Sequence, residues 1–150
     1  MPFNTGTRTF KSKNDYRRIK RWSAEAVVLL CLMFLFTTKV YAVSEEEIKL
    51  IASITTAEAI NQCEKGQRFV IDTVLNRVDD EKFPNTIDGV INQKNQYSKG
   101  RPIPSSEMIS LVREEVENRS NYDIIYFRTT RYHSFGTPVE KVGDHYFSKK

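Results

Sequence analysis

Glu58 is the side chain whose type and spacing point most directly to chemistry. It stands in Ile48-Lys-Leu-Ile-Ala-Ser-Ile-Thr-Thr-Ala-Glu-Ala59, which reads as one helix. Ile51, Ile54 and Glu58 recur at i, i+3 and i+7, so they share a face. An apolar face normally turns inward, and a carboxyl in line with it is held at the edge of a core or on a cleft wall. Partial desolvation in such a place favours the protonated form, which is the form a general acid needs. The structural alternative is a Glu ion-paired with an Arg, with Arg77 as the candidate partner. Pairing is the commoner use of such a residue, and the pattern alone leaves both readings open.

Other chemistries find less support. Zinc takes three or four ligands. The chain offers His133 and His145, one Cys outside the first 42 residues, and no His-Glu-x-x-His. Two His on candidate strands are read as structural, and no metal or other cofactor is expected. A Ser-His-Asp hydrolase would use His133 or His145 as base, but no Gly-x-Ser-x-Gly elbow is present. Neither a phosphate loop nor a dinucleotide fingerprint occurs. Cys63 lies in Asn-Gln-Cys-Glu-Lys-Gly, a polar helix-ending stretch with an acidic neighbour, and reads as a bystander thiol. Acid/base chemistry centred on a carboxyl is what survives. Two segments are candidates for holding a sugar. Lys94 to Pro104 is rich in amides around Gln96 and Tyr97, which suits carbohydrate hydroxyls and solvent alike. Arg131-Tyr-His-Ser-Phe-Gly136 is polar and aromatic together. It lines a cleft opposite Glu58 or forms the outer face of a hairpin.

The elements that must position these residues fit one domain. Residues 1–42 carry eight basic side chains against Asp15 and Glu25, and the remainder carries 15 basic and 17 acidic ones. The basic balance of the whole chain therefore belongs to its first segment and argues against nucleic acid as partner. That segment has a basic start, eleven apolar residues from Ala26 to Phe36, and Val-Tyr-Ala ending at Ala42. It reads as a secretory signal peptide cleaved after Ala42. The alternative is an uncleaved membrane anchor over 26–43, since an ordinary span needs about 20 apolar residues. An exported protein of the cell wall, the exterior or the spore is expected. Cys63 then stands alone in the mature chain, without a disulfide.

Downstream, Ser44 and Glu47 make a capping box for a helix running to about Ile60 and breaking towards Gly66. Gln67 to Val78 is a second helix with a wide apolar face, central to the core. Asn85 caps a short helix over about Thr86 to Gln93. Ser105 caps a fourth over about Ser106 to Arg119, with Ile109, Val112 and Val116 as its buried stripe and Arg113, Glu114, Glu115 and Glu117 as a solvated face. Asp123 to Thr130 and His145 to Ser148 are β-branched and aromatic, with turn signals at Gly136-Thr-Pro138 and Gly143 between them. The fold class is therefore α+β, mainly helical, with a small C-terminal antiparallel hairpin or sheet.

Thr56-Ala-Glu-Ala59, Gly66-Gln, Val74-Leu-Asn-Arg-Val78, Phe83-Pro-Asn-Thr-Ile87, Gly89-Val-Ile91, Gln96-Tyr-Ser98 and Val142-Gly-Asp-His-Tyr-Phe147 occur in that order. This set resembles the cell-wall hydrolase family of the spore cortex-lytic enzyme SleB and its relative CwlJ, over residues 48–148. The resemblance implies a lysozyme-like fold and an enzyme that cuts peptidoglycan glycan strands. SleB-type members act as lytic transglycosylases, and their catalytic Glu, in an Ala-Glu-Ala motif, corresponds to Glu58. Gln96, Tyr97, Arg131, Tyr132 and His133 are the further candidates for gripping sugar, whereas His145 and Gly143 are assigned to structure. The segment from Cys63 to Gly66 departs from the family's usual sequence, and the separate wall-binding domain of many members is not expected here. A wall or membrane recruitment partner is expected in its place. The alternatives from other classes are an N-acetylmuramoyl-L-alanine amidase and a non-catalytic wall-binding module.

Overall fold

The computed structural model describes residues 42–150. The expected leader, its apolar stretch and Cys31 lie outside the described residues, Ala42 excepted. No described helix is long and apolar enough to cross a membrane.

Four helices precede a three-stranded sheet: α1 (Glu45–Ala59), α2 (Glu64–Asp79), α3 (Ile87–Ile91), α4 (Ser106–Glu117), β1 (Tyr126–Arg128), β2 (Thr137–Val142) and β3 (His145–Lys149). The mainly helical α+β class expected from the sequence is the observed one. α1 begins with the expected capping box. The Ser44 hydroxyl accepts from the Glu47 N–H at 3.3 Å, and Glu47 Oε2 accepts from the Ser44 N–H at 2.9 Å. Three acidic residues in its first turn face the positive end of the helix dipole.

α2 is buried on two sides, which explains its wide apolar face. Ile71 and Val74 join Ile51, Ile54, Val90 and Val112 in the core between the helices. Phe69 and Val70 join Ile124, Val142 and Phe147 in a second core beneath the sheet. Stripping water from these side chains supplies about 25 cal/mol per Å² of apolar surface, so α2 is the element both halves of the fold depend on.

Several boundaries differ from expectation. α2 opens at Glu64, so Gly66 sits inside its first turn and the break falls at 60–63. The reason is close packing. A Cβ on Gly66 would stand 3.2 Å from Gln62 Cβ and 3.6 Å from Val142 Cγ1. α3 is capped by Thr86, whose hydroxyl accepts from the Gly89 N–H at 3.1 Å, and not by Asn85. α4 stops at Glu117. Its inward face is Met108, Leu111, Val112 and Glu115, while Ile109 and Val116 are only partly covered. Glu115 is thus fully buried and not part of a solvated face. Arg68 Nη1 donates to its Oε1 at 2.6 Å, and Ser120 donates through its N–H at 2.7 Å and its hydroxyl at 2.8 Å. These donors make burial of the charge tolerable.

The sheet is antiparallel, in the order β1-β3-β2. The tight hairpin joins β2 to β3 through Gly143, at φ +56, and Asp144. Gly136-Thr-Pro138 therefore opens β2 and makes no hairpin turn. Pro138 has no N–H to give a ladder, and it occupies an edge strand beside a bulge. The stretch from Asp123 to Thr130 contracts to β1, paired on the other side of β3.

Candidate active site

Glu58 lies in the last turn of α1 and is half-buried. The Ser98 N–H donates to its Oε1 at 2.6 Å. Glu58 Oε2 accepts no hydrogen bond among the described residues. The donor comes from the amide-rich loop, which is tied down in several places. Arg101 Nη1 donates to the carbonyls of Ser98 at 2.7 Å and Gly100 at 3.0 Å, and its Nη2 donates to Asn92 Oδ1 at 3.1 Å. The Ser53 hydroxyl donates to Pro102 O at 2.8 Å. The loop is thereby laid along α1 between Ser53 and Glu58.

Arg77 is not the partner of Glu58. Its Nε donates to Ile125 O at 2.8 Å. Its guanidinium lies over the rings of Phe83, at 5.1 Å, and Tyr97, at 5.3 Å. The alternative pairing fails because Arg77 is spent on holding the start of the sheet and the aromatic loop residue against α2. Its Nη1 is buried without a hydrogen-bond partner.

Two neutral polar groups share the surroundings of Glu58. The Tyr97 hydroxyl is buried and unpartnered. Burial pushes its pKa up to about 12, with the Arg77 charge opposing and the Glu58 charge adding. His145 is buried on β3, its ring edge-on to Phe127 at 5.2 Å and to Phe147 at 5.8 Å, with Nδ1 unpartnered. Burial lowers its pKa below the usual histidine value, against the opposing charges of Glu58 and Asp144, so the imidazole is neutral at neutral pH. The field of Glu58 reaches both groups. Phe127 bridges them, packing on Tyr97 at 6.2 Å.

A clamp fixes His145 relative to α1. Gln62 lies just past the end of that helix. Its Oε1 accepts from the Asp144 N–H at 2.9 Å, and its Nε2 donates to Asp144 Oδ2 at 3.3 Å. A Cβ on Gly143 would come within 2.1 Å of Gln62 Oε1. The residue before His145 is thus tied to the helix end that carries Glu58.

The remaining candidates divide. Gln96 is exposed beside Tyr97 in the amide loop. Tyr132 packs edge-on against Tyr146 at 5.1 Å, and His133 packs on Tyr126 at 5.7 Å and on Phe135 at 4.8 Å. On β3, His145 and Phe147 face the helices, so Tyr146 faces away. Tyr132 and His133 therefore lie over the outer face of the sheet. Arg131 beside them is exposed. No ring, ion-pair or hydrogen-bond contact joins Arg131, Tyr132 or His133 to Glu58 among the described residues. Burial, aided by Arg128 and Arg77, lowers the pKa of His133. Cys63 is an exposed free thiol. Open grooves of about 470 and 410 Å³ lie elsewhere, and salt bridges such as Arg119–Asp79 and Arg68–Glu114 neutralise charges along them.

Sequence reasoning missed Gln62, Ser98 and Arg101. A backbone N–H leaves no mark in a sequence, and the side chains of Gln62 and Arg101 act on partners that only folding brings near. His145 did carry a signal, being a polar residue in line with the inward-facing Phe147 on β3.

The family model for cell wall hydrolases matches residues 61–148, more than half of the chain and opening just past Glu58. No curated protein sequence matches. Among solved structures, the chain is similar to the catalytic domain of the Bacillus cereus SleB protein, at 22% identity and a TM-score of 0.68. The alignment covers 76% of this chain and 99% of that one. It is also similar to the catalytic domain of the germination-specific lytic transglycosylase SleB from Bacillus anthracis, at 22% identity and a TM-score of 0.63, covering 75% of this chain and 100% of that one. The fold is therefore that of the SleB catalytic domains, and with the family match running from α2 through the sheet the chain belongs to the cell wall hydrolases, enzymes that degrade peptidoglycan.

Proposed function

We propose that the protein cuts peptidoglycan glycan strands as a lytic transglycosylase, with Glu58 as the single acid and base. One observation carries this reading: Glu58 Oε1 is engaged by the Ser98 N–H, while Oε2 is left without a partner among the described residues. A carboxyl held in that way presents its second oxygen to a ligand. Protonated Glu58 gives its proton to the glycosidic oxygen between N-acetylmuramic acid and N-acetylglucosamine. The C–O bond breaks, and an oxocarbenium-like state develops on the muramyl ring. The carboxylate then takes the proton of the muramyl C6 hydroxyl, whose oxygen closes on C1 to give an anhydro-muramyl end. The substrate supplies its own nucleophile, so no second carboxylate is required. The neutral Tyr97 and His145 leave Glu58 the only ionisable group there that must change state. Asp144 is held at the hairpin turn by Gln62 and serves the fold in this reading. Spore cortex and vegetative wall are both substrates of the right chemistry. Export through the leader would bring the enzyme to either.

The test is to incubate the wild type and Glu58→Gln with both kinds of peptidoglycan and to weigh the released fragments by mass spectrometry. Products lighter by one water than hydrolytic ones are expected, at a rate falling by about 10²-fold or more in Glu58→Gln. Full-mass reducing ends that depend on Asp144 would mean a hydrolase. Freed stem peptides would mean an amidase, and release unaffected by Glu58→Gln would sink the mechanism.

A further inference from the structure

We propose that the outer face of the sheet, under the segment 131–136, is a binding face for the polymeric glycan strand apart from the sugars that are cleaved. The inference rests on the reading of the protein as a glycan-strand enzyme and adds a surface to it.

The face is built of rings in contact. Phe135 packs on Tyr126 at 5.1 Å, and Tyr132 packs on Tyr146 at 5.1 Å. Beyond Tyr126 the contacts pass through Phe83 into the interior, where Arg77 is buried and Tyr97 packs against the helical core.

The segment 131–136 is more than a cover for the strands beneath it. It folds closely over β1 and β3, where a Cβ on Gly136 would come 3.2 Å from the Tyr126 ring and 3.1 Å from Ser148 Cβ. Yet Phe135 keeps 68% of its surface in water. A lid that served only the core would turn this ring inward. Flat rings with one open face suit the axial C–H faces of pyranose sugars, as their polar edges suit the hydroxyls.

Charge singles out a peptidoglycan strand among glycans. Arg128 and Lys141 are both in register with Tyr146, and Lys141 lies over that ring at 5.2 Å. With Arg131 they bring three cations to this face, and none has a carboxylate partner among the described residues. The rest of the chain after residue 42 is slightly acidic overall, so a local cationic face is a feature to be explained. Muramyl lactyl groups and stem peptides carry carboxylates, which such cations attract.

The experiment uses the full chain with Glu58→Gln, so that bound wall is not consumed, and measures co-sedimentation with insoluble peptidoglycan against free protein. Phe135→Ala with Arg131→Ala is the test pair, and Lys141→Glu is an independent variant. All three side chains are exposed, and an unchanged melting temperature verifies folding. Each variant is expected to weaken sedimentation by about tenfold. In the Glu58-intact protein, the rate of fragment release from insoluble wall should fall in parallel. Sedimentation as tight as the parent in both variants would overturn the proposal. So would a loss confined to anionic phosphatidylglycerol vesicles, which would make the face a membrane contact. If the Glu58-intact protein releases no fragments while the variants still lose sedimentation, the cleavage reading fails and the surface stands. If it releases anhydro fragments and the variants match it in rate and binding, the surface fails and the cleavage reading stands.

Discussion

Three carboxyls set apart from solvent illustrate how differently one functional group is used. Glu58 is held through one oxygen and presents the other. Glu115 is fully buried and saturated by Arg68 and Ser120. Asp72 is also buried, receives the Asn121 N–H at 2.8 Å through Oδ2, and lies against Glu115. Burial first, and then Glu115, pushes its pKa up to about 8 from 3.8, while Arg68 and Ser120 hold that of Glu115 below its usual value. Asp72 therefore keeps a proton in the fold that the unfolded chain has already lost. Between about pH 4 and about pH 8 the unfolded state binds fewer protons, so this group's stabilisation is full at the acid end and lost as pH rises. Glu115 acts in the opposite sense, its contribution being lost as pH falls below the carboxylate range. Asp72→Asn replaces the retained O–H by an N–H with nearly the same shape. It is expected to remove the decline of stability between about pH 5 and about pH 8, read from urea midpoints across that range. An Asp72→Asn midpoint that declines as steeply as the wild type would refute the assignment.

Two connecting segments, more than any helix, determine the surroundings of Glu58. The amide loop delivers the Ser98 N–H to Glu58 and is itself pinned by Arg101. Arg101→Ala leaves the core untouched but frees the loop. Fragment release should fall by about tenfold or more, since misplaced catalytic groups lose rate steeply, with little change in melting temperature. The hairpin turn is the second segment. Gly143 adopts φ +56 against Gln62 with no room for a side chain. Gly143→Ala adds strain in the left-handed region and a clash at once. We expect a cost of about 1–3 kcal/mol and a fall in melting temperature of several degrees. Activity measured well below the new midpoint should fall as well, because His145 follows the turn directly. Unchanged stability in Gly143→Ala would mean that the Gln62 clamp opens freely.

The molecule as a whole is two cores sharing α2, tied on its polar side by a charged network. Arg68, on α2, holds Glu114 at 2.6 Å and Glu115 at 2.6 Å on α4. Removing it leaves the Glu115 charge buried without its cationic partner. Arg68→Ala should therefore cost about 3 kcal/mol in chemical denaturation. Arg68→Ala together with Glu115→Gln should recover part of that loss, because no charge is then stranded. A double variant no more stable than the single one would show that Arg68 acts through packing and not through charge.

Periodicity along the chain determined the helices, the capped start of α1, the two-sided burial of α2 and the prominence of Glu58, because each depends on neighbours within a few residues. A carboxyl in line with Ile51 and Ile54 is visible without any fold. The same signal was present at Glu115, which lies at i+7 from Met108 with Leu111 and Val112 between. It was masked because the stripe was registered one position late, on Ile109 and Val116, and on a narrow amphipathic helix a shift of one residue exchanges the buried side for the wet one. The tertiary structure alone decided which strands pair, since Gly143 and Gly136 are equally good turn residues and only packing against Gln62 selects the first. It decided that Arg77 serves Phe83, Tyr97 and Ile125 instead of Glu58. It also decided that Tyr132 and His133 pack over the outer face of the sheet. These outcomes depend on groups far apart in sequence competing for one neighbour, and the competition is resolved only when the cores close.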